Sequence, residues 1–233
     1  MNILGIIPAR KGSTRIKDKN IKKLGGKPLV KFAIDNALNS KLIDKIVVST
    51  NSAEVLEMDR DYSERVFFLK RPEAISGDKS TSIDFVNHVL DHEEHNNQIY
   101  DIIVILQPTS PLTSPNDIDN TINLLINSDA DSAVSVVRLA HDVNPIKMKI
   151  FNGSKLIPYL EDEGDRMSND QIPDVYVRNG SVYCSRINTI KSGKIIGERC
   201  LGYIMPRSRS VDINDELDFE FAEFLYMRGF GSN

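Results

Sequence analysis

Apolar and polar positions along the chain follow two rhythms, and the switches between them outline an order of elements. The unbroken apolar run ILGIIP reads as a buried strand. PLVKFAIDNALNS then takes a helical period, with Pro28 in its first turn and Leu29, Phe32, Ala33 and Ala37 on one face. DKIVVST predicts a second strand, SAEVLEMDRDY a helix capped by Ser52, and RVFFLKR a third strand. STSIDFVNHVLDHEEH is amphipathic, with Ile83, Val86, Val89 and Leu90 turned inward. The strand YDIIVILQ, the turn PTSPLTSP, a helix NDIDNTINLLINS begun by Ser114 and Pro115, and the strand DSAVSVVRL follow. Strands alternating with helices predict a mostly parallel sheet covered on both faces, and such sheets bind ligands beyond the carboxyl ends of their strands.

The rhythm changes after Leu139. MKIFNGSKLIPY and VYVRNGSVYCS each read as a hairpin turning at Asn-Gly, with the polar loop LEDEGDRMSNDQIPD between them. Residues 140–186 are therefore expected to leave the main sheet as an antiparallel excursion, a natural place for an oligomer arm. LGYIMP predicts a returning strand, and DELDFEFAEFLYMRG a last helix, inward at Leu217, Phe221, Ala222 and Leu225. Without an internal repeat or a flexible linker, residues 1–233 are expected to form a single domain.

Composition narrows the possibilities. In 233 residues, 40% apolar content is enough for a sizeable core. MNILGIIPAR holds too short an apolar run for a signal peptide, and IIVIL falls far below a membrane span, so a cytoplasmic protein with no membrane attachment is expected. Cys184 and Cys200 lie in strand-like stretches without metal-ligand spacing and read as reduced packing residues. A net charge of −4 argues against a nucleic-acid binder.

Positive charge is instead concentrated in one place. Residues 10–23 carry Arg10, Lys11, Arg15, Lys17, Lys19, Lys22 and Lys23 against a single acid, Asp18. Like charges so close repel one another, and a polyanion would offset them. The loop follows the first strand, where backbone N–H groups and side chains can reach phosphates. Neither G-x-x-x-x-G-K-[ST] nor G-x-G-x-x-G occurs, which disfavours a P-loop or a dinucleotide site. His88, His92 and His95 share one helix stripe, as metal ligands would, but they fall on its polar side near a helix end, where imidazoles suit the negative terminus. His141 has no partner for hydrolase chemistry, and no G-x-S-x-G elbow is present.

Five segments, IIPARKGSTRIKDKN, RPEAISGDKSTS, LQPTSPL, RNGSVYCS and SVDINDELD, occur in this order across nearly the whole chain. Together they resemble the acylneuraminate cytidylyltransferase family, whose members make CMP-activated sialic acids and related nonulosonic acids. The resemblance implies a Rossmann-like three-layer α/β/α nucleotidyltransferase fold and a homodimer paired through the antiparallel excursion. It implies transfer of CMP from CTP to the anomeric hydroxyl of such an acid, with pyrophosphate released and Mg2+ as cofactor. Arg10, Ser13, Lys19 and Asn20 would then hold the CTP phosphates, and Arg71 and Ser82 the cytosine and ribose, with Asp78 ordering their loop. Gln107, Asn179 and Tyr183 would meet the sugar acid. Asp212 would bind metal, with Asn214 as a neutral oxygen ligand beside it, and Arg10, Lys19 and Asp212 would form the catalytic set.

The chain departs from the family pattern at three positions. Asn214 stands where relatives have a second metal-binding aspartate, and Thr113 and Asn169 stand where arginines are common, with Arg166 and Arg178 as nearby substitutes. The acceptor could thus be an octulosonic acid or a diamino nonulosonate of the legionaminate or pseudaminate type. A non-catalytic CTP-binding regulator is the remaining alternative.

Overall fold

The computed structural model describes residues 1–13, 15–62, 64–160 and 171–230. In chain order the elements are β1 (Ile3–Pro8), β2 (Lys23–Leu24), β3 (Lys27–Pro28), α1 (Leu29–Leu38), β4 (Lys45–Thr50), α2 (Ala53–Leu56), β5 (Val66–Lys70) and α3 (Ser82–His95). These are followed by β6 (Ile102–Leu106), α4 (Pro115–Ile126), β7 (Ser132–Arg138), β8 (Lys149–Asn152), β9 (Lys155–Pro158), β10 (Tyr176–Arg186), α5 (Ile187–Lys191), β11 (Cys200–Ile204) and α6 (Glu216–Met227).

A seven-stranded sheet in the order β11-β7-β10-β6-β1-β4-β5 forms the centre, and every strand but β10 runs in one direction. The three-layer α/β/α fold is the one that the alternation predicts. β4 and β5 build outward on one side of β1, and β6 then starts the other side, so a crevice opens at this reversal, while β2 and β3 pair in a small sheet of their own. Ile7, Val30, Ile34, Val48, Val104, Ile118 and Ile122 pack on one face, and Leu4, Ile6, Val86, Val89, Ile103 and Ile105 on the other.

A third apolar cluster positions the loops. Ile16 of the basic loop, Leu112 of the LQPTSPL turn, and Val211 and Ile213 of the terminal segment pack with Phe219, Ala222 and Leu225 of α6. Each such burial contributes about 1.5–3 kcal/mol. The alternation Val211-Asp212-Ile213-Asn214 thus turns its apolar members into this cluster and leaves its polar ones facing outward.

Several sequence expectations are corrected. Asn152-Gly153 does turn the β8–β9 hairpin, which stands in its own two-stranded sheet. Asn179-Gly180 does not turn: Gly180 has φ 76°, and the register shifts between Arg178 and Tyr183, so β10 is one bulged strand between β6 and β7. Residues 176–186 therefore belong to the central sheet. In α6 the inward residues are Phe219, Ala222 and Leu225, while Leu217 is 74% and Phe221 50% exposed. The edge-on contact of Tyr226 with Phe32 of α1, 5.3 Å between rings, sets that rotation. Ser52 caps α2 as expected, but α2 ends after one turn and continues as a 3₁₀ helix, Glu57–Asp61. Phe85 joins Val86 and Val89 in the core, with Ile83 and Leu90 only partly covered. Cys184 is buried as a packing residue, whereas Cys200 is exposed.

Candidate active site

Past Pro8 the chain leaves the sheet as the basic loop. Left-handed turns at Gly12 (φ 86°) and Asp18 (φ 52°) bend it, and buried Ile16 ties it down. Pro8, Arg10, Ser13, Arg15, Lys19 and Asn20 then face Arg71, Ser80, Thr81, Ser82, Phe85, Gln107, Pro108, Thr109 and Asn214 across a cavity of about 300 Å³. Four of the described lining residues are cationic and none is a carboxylate.

Each side chain has an identifiable support. Arg10 donates to the carbonyls of Gly12 and Ser76 and forms an ion pair with Asp78 at 2.7 Å, which joins the first loop to the second. Lys19 Nζ donates to the Ile213 carbonyl at 2.8 Å, and Asn20 donates to the Arg10 carbonyl at 2.9 Å. Burial pulls the Lys19 ammonium below its ordinary value; Asp212 opposes the change, and Arg15 and Arg10 add to it.

Arg71 follows β5 and is 3% exposed. Its guanidinium donates to Ser49 Oγ at 3.0 Å and to the Ser49 carbonyl at 2.9 Å, and it lies 4.8 Å from the Phe85 ring centroid. No carboxylate among the described residues pairs with it. Burial, with Arg10 nearby, pushes the group down to about 10, so it stays charged at neutral pH. Beside it Ser80, Thr81 and Ser82 present the amino end of α3, where Thr81 and Asp84 form a capping box. That end favours an anion. Gln107 enters from the carboxyl end of β6, held by a bond from its N–H to the Ser181 carbonyl.

Eight of the twelve nominated residues thus line one cavity: Arg10, Ser13, Lys19, Asn20, Arg71, Ser82, Gln107 and Asn214. Asp78 stands behind Arg10 and orders the loop through it. Asp212 lies just outside the lining and accepts from the Asn214 amide at 3.1 Å. Tyr183 is half-buried beside it on β10; burial raises its phenol, Arg178 opposes that, and Asp212 adds to it. Asn179 is 4% exposed beside the Gly180 bulge, its oxygen accepting from Ser135 Oγ and the Ser181 N–H and its nitrogen donating to Ser210 Oγ and Met205 Sδ.

Thr113 is buried, bonded to the Ser110 carbonyl, and covered by Asn36. The family's arginine position therefore points into the protein here. Asn169 and Arg166 lie outside the described residues. Arg15, Phe85 and Thr109 were not nominated; Arg15 was visible in the charge cluster, while Phe85 gave no signal beyond core periodicity. On α3, His92 stacks on Phe67 at 4.9 Å and His95 approaches the Asp91 carbonyl at 2.5 Å, so these imidazoles engage their surroundings separately.

A sequence profile described as cytidylyltransferase matches residues 4–193, from β1 through α5. The chain belongs to the cytidylyltransferase family. This cytidylyltransferase is 30% identical over 228 residues to the pseudaminic acid cytidylyltransferase of Campylobacter jejuni subsp. jejuni serotype O:23/36, covering 97% of each chain. It is also 30% identical over 227 residues to the CMP-N,N'-diacetyllegionaminic acid synthase of Legionella pneumophila, covering 97% of this chain and 96% of that one. A solved CMP:2-keto-3-deoxy-manno-octonic acid synthetase complexed with CTP superposes with a TM-score of 0.72 over 98% of this chain and all of its own, at 14% identity. The fold is shared with that structure, and the family makes this cytidylyltransferase a nucleotidyl-transferring enzyme.

Proposed function

We propose that the enzyme transfers CMP from CTP to the anomeric hydroxyl of a nonulosonic acid and releases pyrophosphate. The cavity carries this reading: four cations line it and no described lining residue is a carboxylate, at the carboxyl ends of parallel strands. Two anions have to meet there. At about 4 Å and an effective dielectric near 20 their repulsion is about 4 kcal/mol per pair of charges, which the lining must offset. Arg10, Arg15 and Lys19, with Ser13 and Asn20, bind the triphosphate and stabilise charge on the departing oxygens. Arg71 and Ser82 hold the cytosine and ribose. Gln107 orients the acceptor so that its hydroxyl attacks the α-phosphorus in line, and the bond to the β-phosphate breaks with no covalent enzyme intermediate.

Magnesium is the proposed cofactor. Asp212 offers the carboxylate oxygens that this hard cation prefers, and Gly180 leaves the side of that carboxylate open, since a Cβ there would stand 3.2 Å from it; Asn214, whose nitrogen donates to Asp212 and whose oxygen accepts from Arg15, would have to turn its amide to add its oxygen. These two residues would hold the ion, which would supply positive charge to offset that of the triphosphate.

The proposed assembly is a cytoplasmic homodimer. Ile150, Phe151, Leu156 and Ile157 are exposed on the β8–β9 hairpin, which suits pairing with a second copy, and the unpaired Cys184 and Cys200 suit a reducing compartment. Light scattering during gel filtration tests the dimer; a fully active monomer would end that claim. The reaction is tested by pyrophosphate release from CTP, UTP and ATP against N-acylneuraminate, pseudaminate, legionaminate and an octulosonate, with and without magnesium. Release is expected with CTP, a nonulosonate and the metal. Absence of release with every acid, despite tight CTP binding, would refute transfer.

A further inference from the structure

α6 carries apolar side chains on two opposite faces, and only one of them meets the body of the protein. Phe219, Ala222 and Leu225 are buried, with Tyr226 partly covered beside them. At about 100° per residue, Leu217, Phe221, Phe224 and Arg228 recur at i, i+4, i+7 and i+11 and form a stripe on the opposite side, with Met227 at its edge. Leu217 is 74%, Phe221 50%, Phe224 54% and Met227 74% exposed. A surface helix ordinarily turns polar residues outward, so an apolar stripe there marks a contact surface. At about 200 Å² for a large side chain the four present about 500 Å², and two such stripes face to face would remove about 1,000 Å² from water, the lower bound of a specific interface.

The charges around the stripe decide what fits it. Glu216, Glu220 and Glu223 run along one border, an acidic edge that an anionic lipid surface repels. A second copy of the stripe, by contrast, is complementary to the first. Glu216 is engaged by Lys22, whereas among the described residues Glu220 has no ion pair and Arg228 lies over the Phe224 ring, 5.2 Å from its centroid. In an antiparallel pair centred between Phe221 and Phe224, each Phe221 meets the partner's Phe224. Each Leu217 then covers the apolar stem of the partner's Arg228, whose guanidinium comes within reach of Glu220. A parallel pair would set Arg228 against Arg228 and Glu220 against Glu220. The β8–β9 hairpin belongs to a separate sheet and shares no residue with the stripe, so this contact adds to pairing through the hairpin.

We propose that the outer face of α6 is a self-association surface, on which a second copy of this chain docks antiparallel through Leu217, Phe221 and Phe224. Two different two-fold contacts on one chain raise a dimer to a tetramer. The small area makes the step weak, so it depends on protein concentration.

Sedimentation velocity over a series from micromolar to hundreds of micromolar protein tests it. The wild type is expected to double its mass as concentration rises. Phe224→Glu changes a side chain that is already half exposed, so Tm and circular dichroism should stay as in the wild type; it should weaken the doubling at least about 30-fold, the loss usual for a central aromatic anchor. The register is read separately in a Cys200→Ser background, which also serves should Phe224→Glu not fold. Phe221→Cys and Phe224→Cys proteins, when mixed and oxidised, should join by a disulfide, and neither should join to itself. Equal masses for wild type and Phe224→Glu throughout the series, or cross-links that form in either variant alone as readily as in the mixture, would overturn the proposal. So would binding of the wild type to phosphatidylglycerol vesicles at constant mass, lost in Phe224→Glu, which would assign the stripe to lipid.

Discussion

Arg71 should show opposite signs for stability and for binding. Burial pushes its guanidinium down to about 10, and at about 1.4 kcal/mol per pH unit the charged form costs the folded protein about 3 kcal/mol at neutral pH. Its two bonds to Ser49 return about 1–3 kcal/mol together. Arg71→Met keeps an apolar stem against Phe85, loses those bonds and removes the buried charge. The variant is therefore expected to be as stable as wild type, or more stable by up to about 2 kcal/mol, raising Tm by about 0–8 °C. CTP loses a charge-assisted contact of about 1.5–3 kcal/mol, so its affinity should fall about 10–150-fold. Scanning calorimetry and titration calorimetry with CTP measure the two effects. A Tm lowered by more than about 5 °C together with unchanged CTP affinity would show that the arginine is structural, and the reasoning from its missing carboxylate partner would be wrong.

Burial lowers the Lys19 ammonium, so alkaline pH should remove its proton earlier than for a free lysine. Between the lowered and ordinary values the unfolded chain binds the extra proton, so stability rises with pH while CTP affinity falls; Lys19→Arg should shift the loss of affinity to higher pH. CTP binding in that window should take up protons, read from the buffer dependence of the binding enthalpy. Gly180→Ala forces φ 76° on alanine and pushes a methyl towards Asp212, costing about 1–2 kcal/mol and lowering turnover by more than the Tm shift explains, as calorimetry and pyrophosphate assays would show. Asp212→Ala, or chelation of divalent metal from the wild type, should each lower turnover at least about 100-fold; wild-type rates in either would end the cofactor assignment.

The layered sheet and the basic loop were legible because their signals are local. Continuous apolar runs give β1, β4 and β6, and a concentration of like charge marks residues 10–23 whatever the rest of the chain does. The second Asn-Gly was misread because a tight turn and a bulge both require a left-handed glycine, and only the partners on either side decide between them. β6 and β7 both lie far upstream of that glycine, so no window around it holds the answer. The phase of α6 was lost for a similar reason: with apolar residues on several sides, the face turned inward depends on Phe32 and the basic loop. Asn179 was nominated only through the resemblance of RNGSVYCS; its bonds to Ser135, Ser210 and Met205 join segments far apart in the chain and leave no local signal.

The reversed direction of β10 also bears on how the protein is made. β6 and β7 are synthesised well before it, and they are bridged only when Tyr176–Arg186 has emerged and slid between them. Until then a nascent chain carries β6 bare on one edge and β7 bare on both, strands rich in valine and isoleucine, an arrangement that invites pairing with other chains. A ribosome stalled before residue 176 would hold a product that is prone to aggregate, and codon changes that delay this stretch should lower soluble yield while leaving the finished enzyme unaltered.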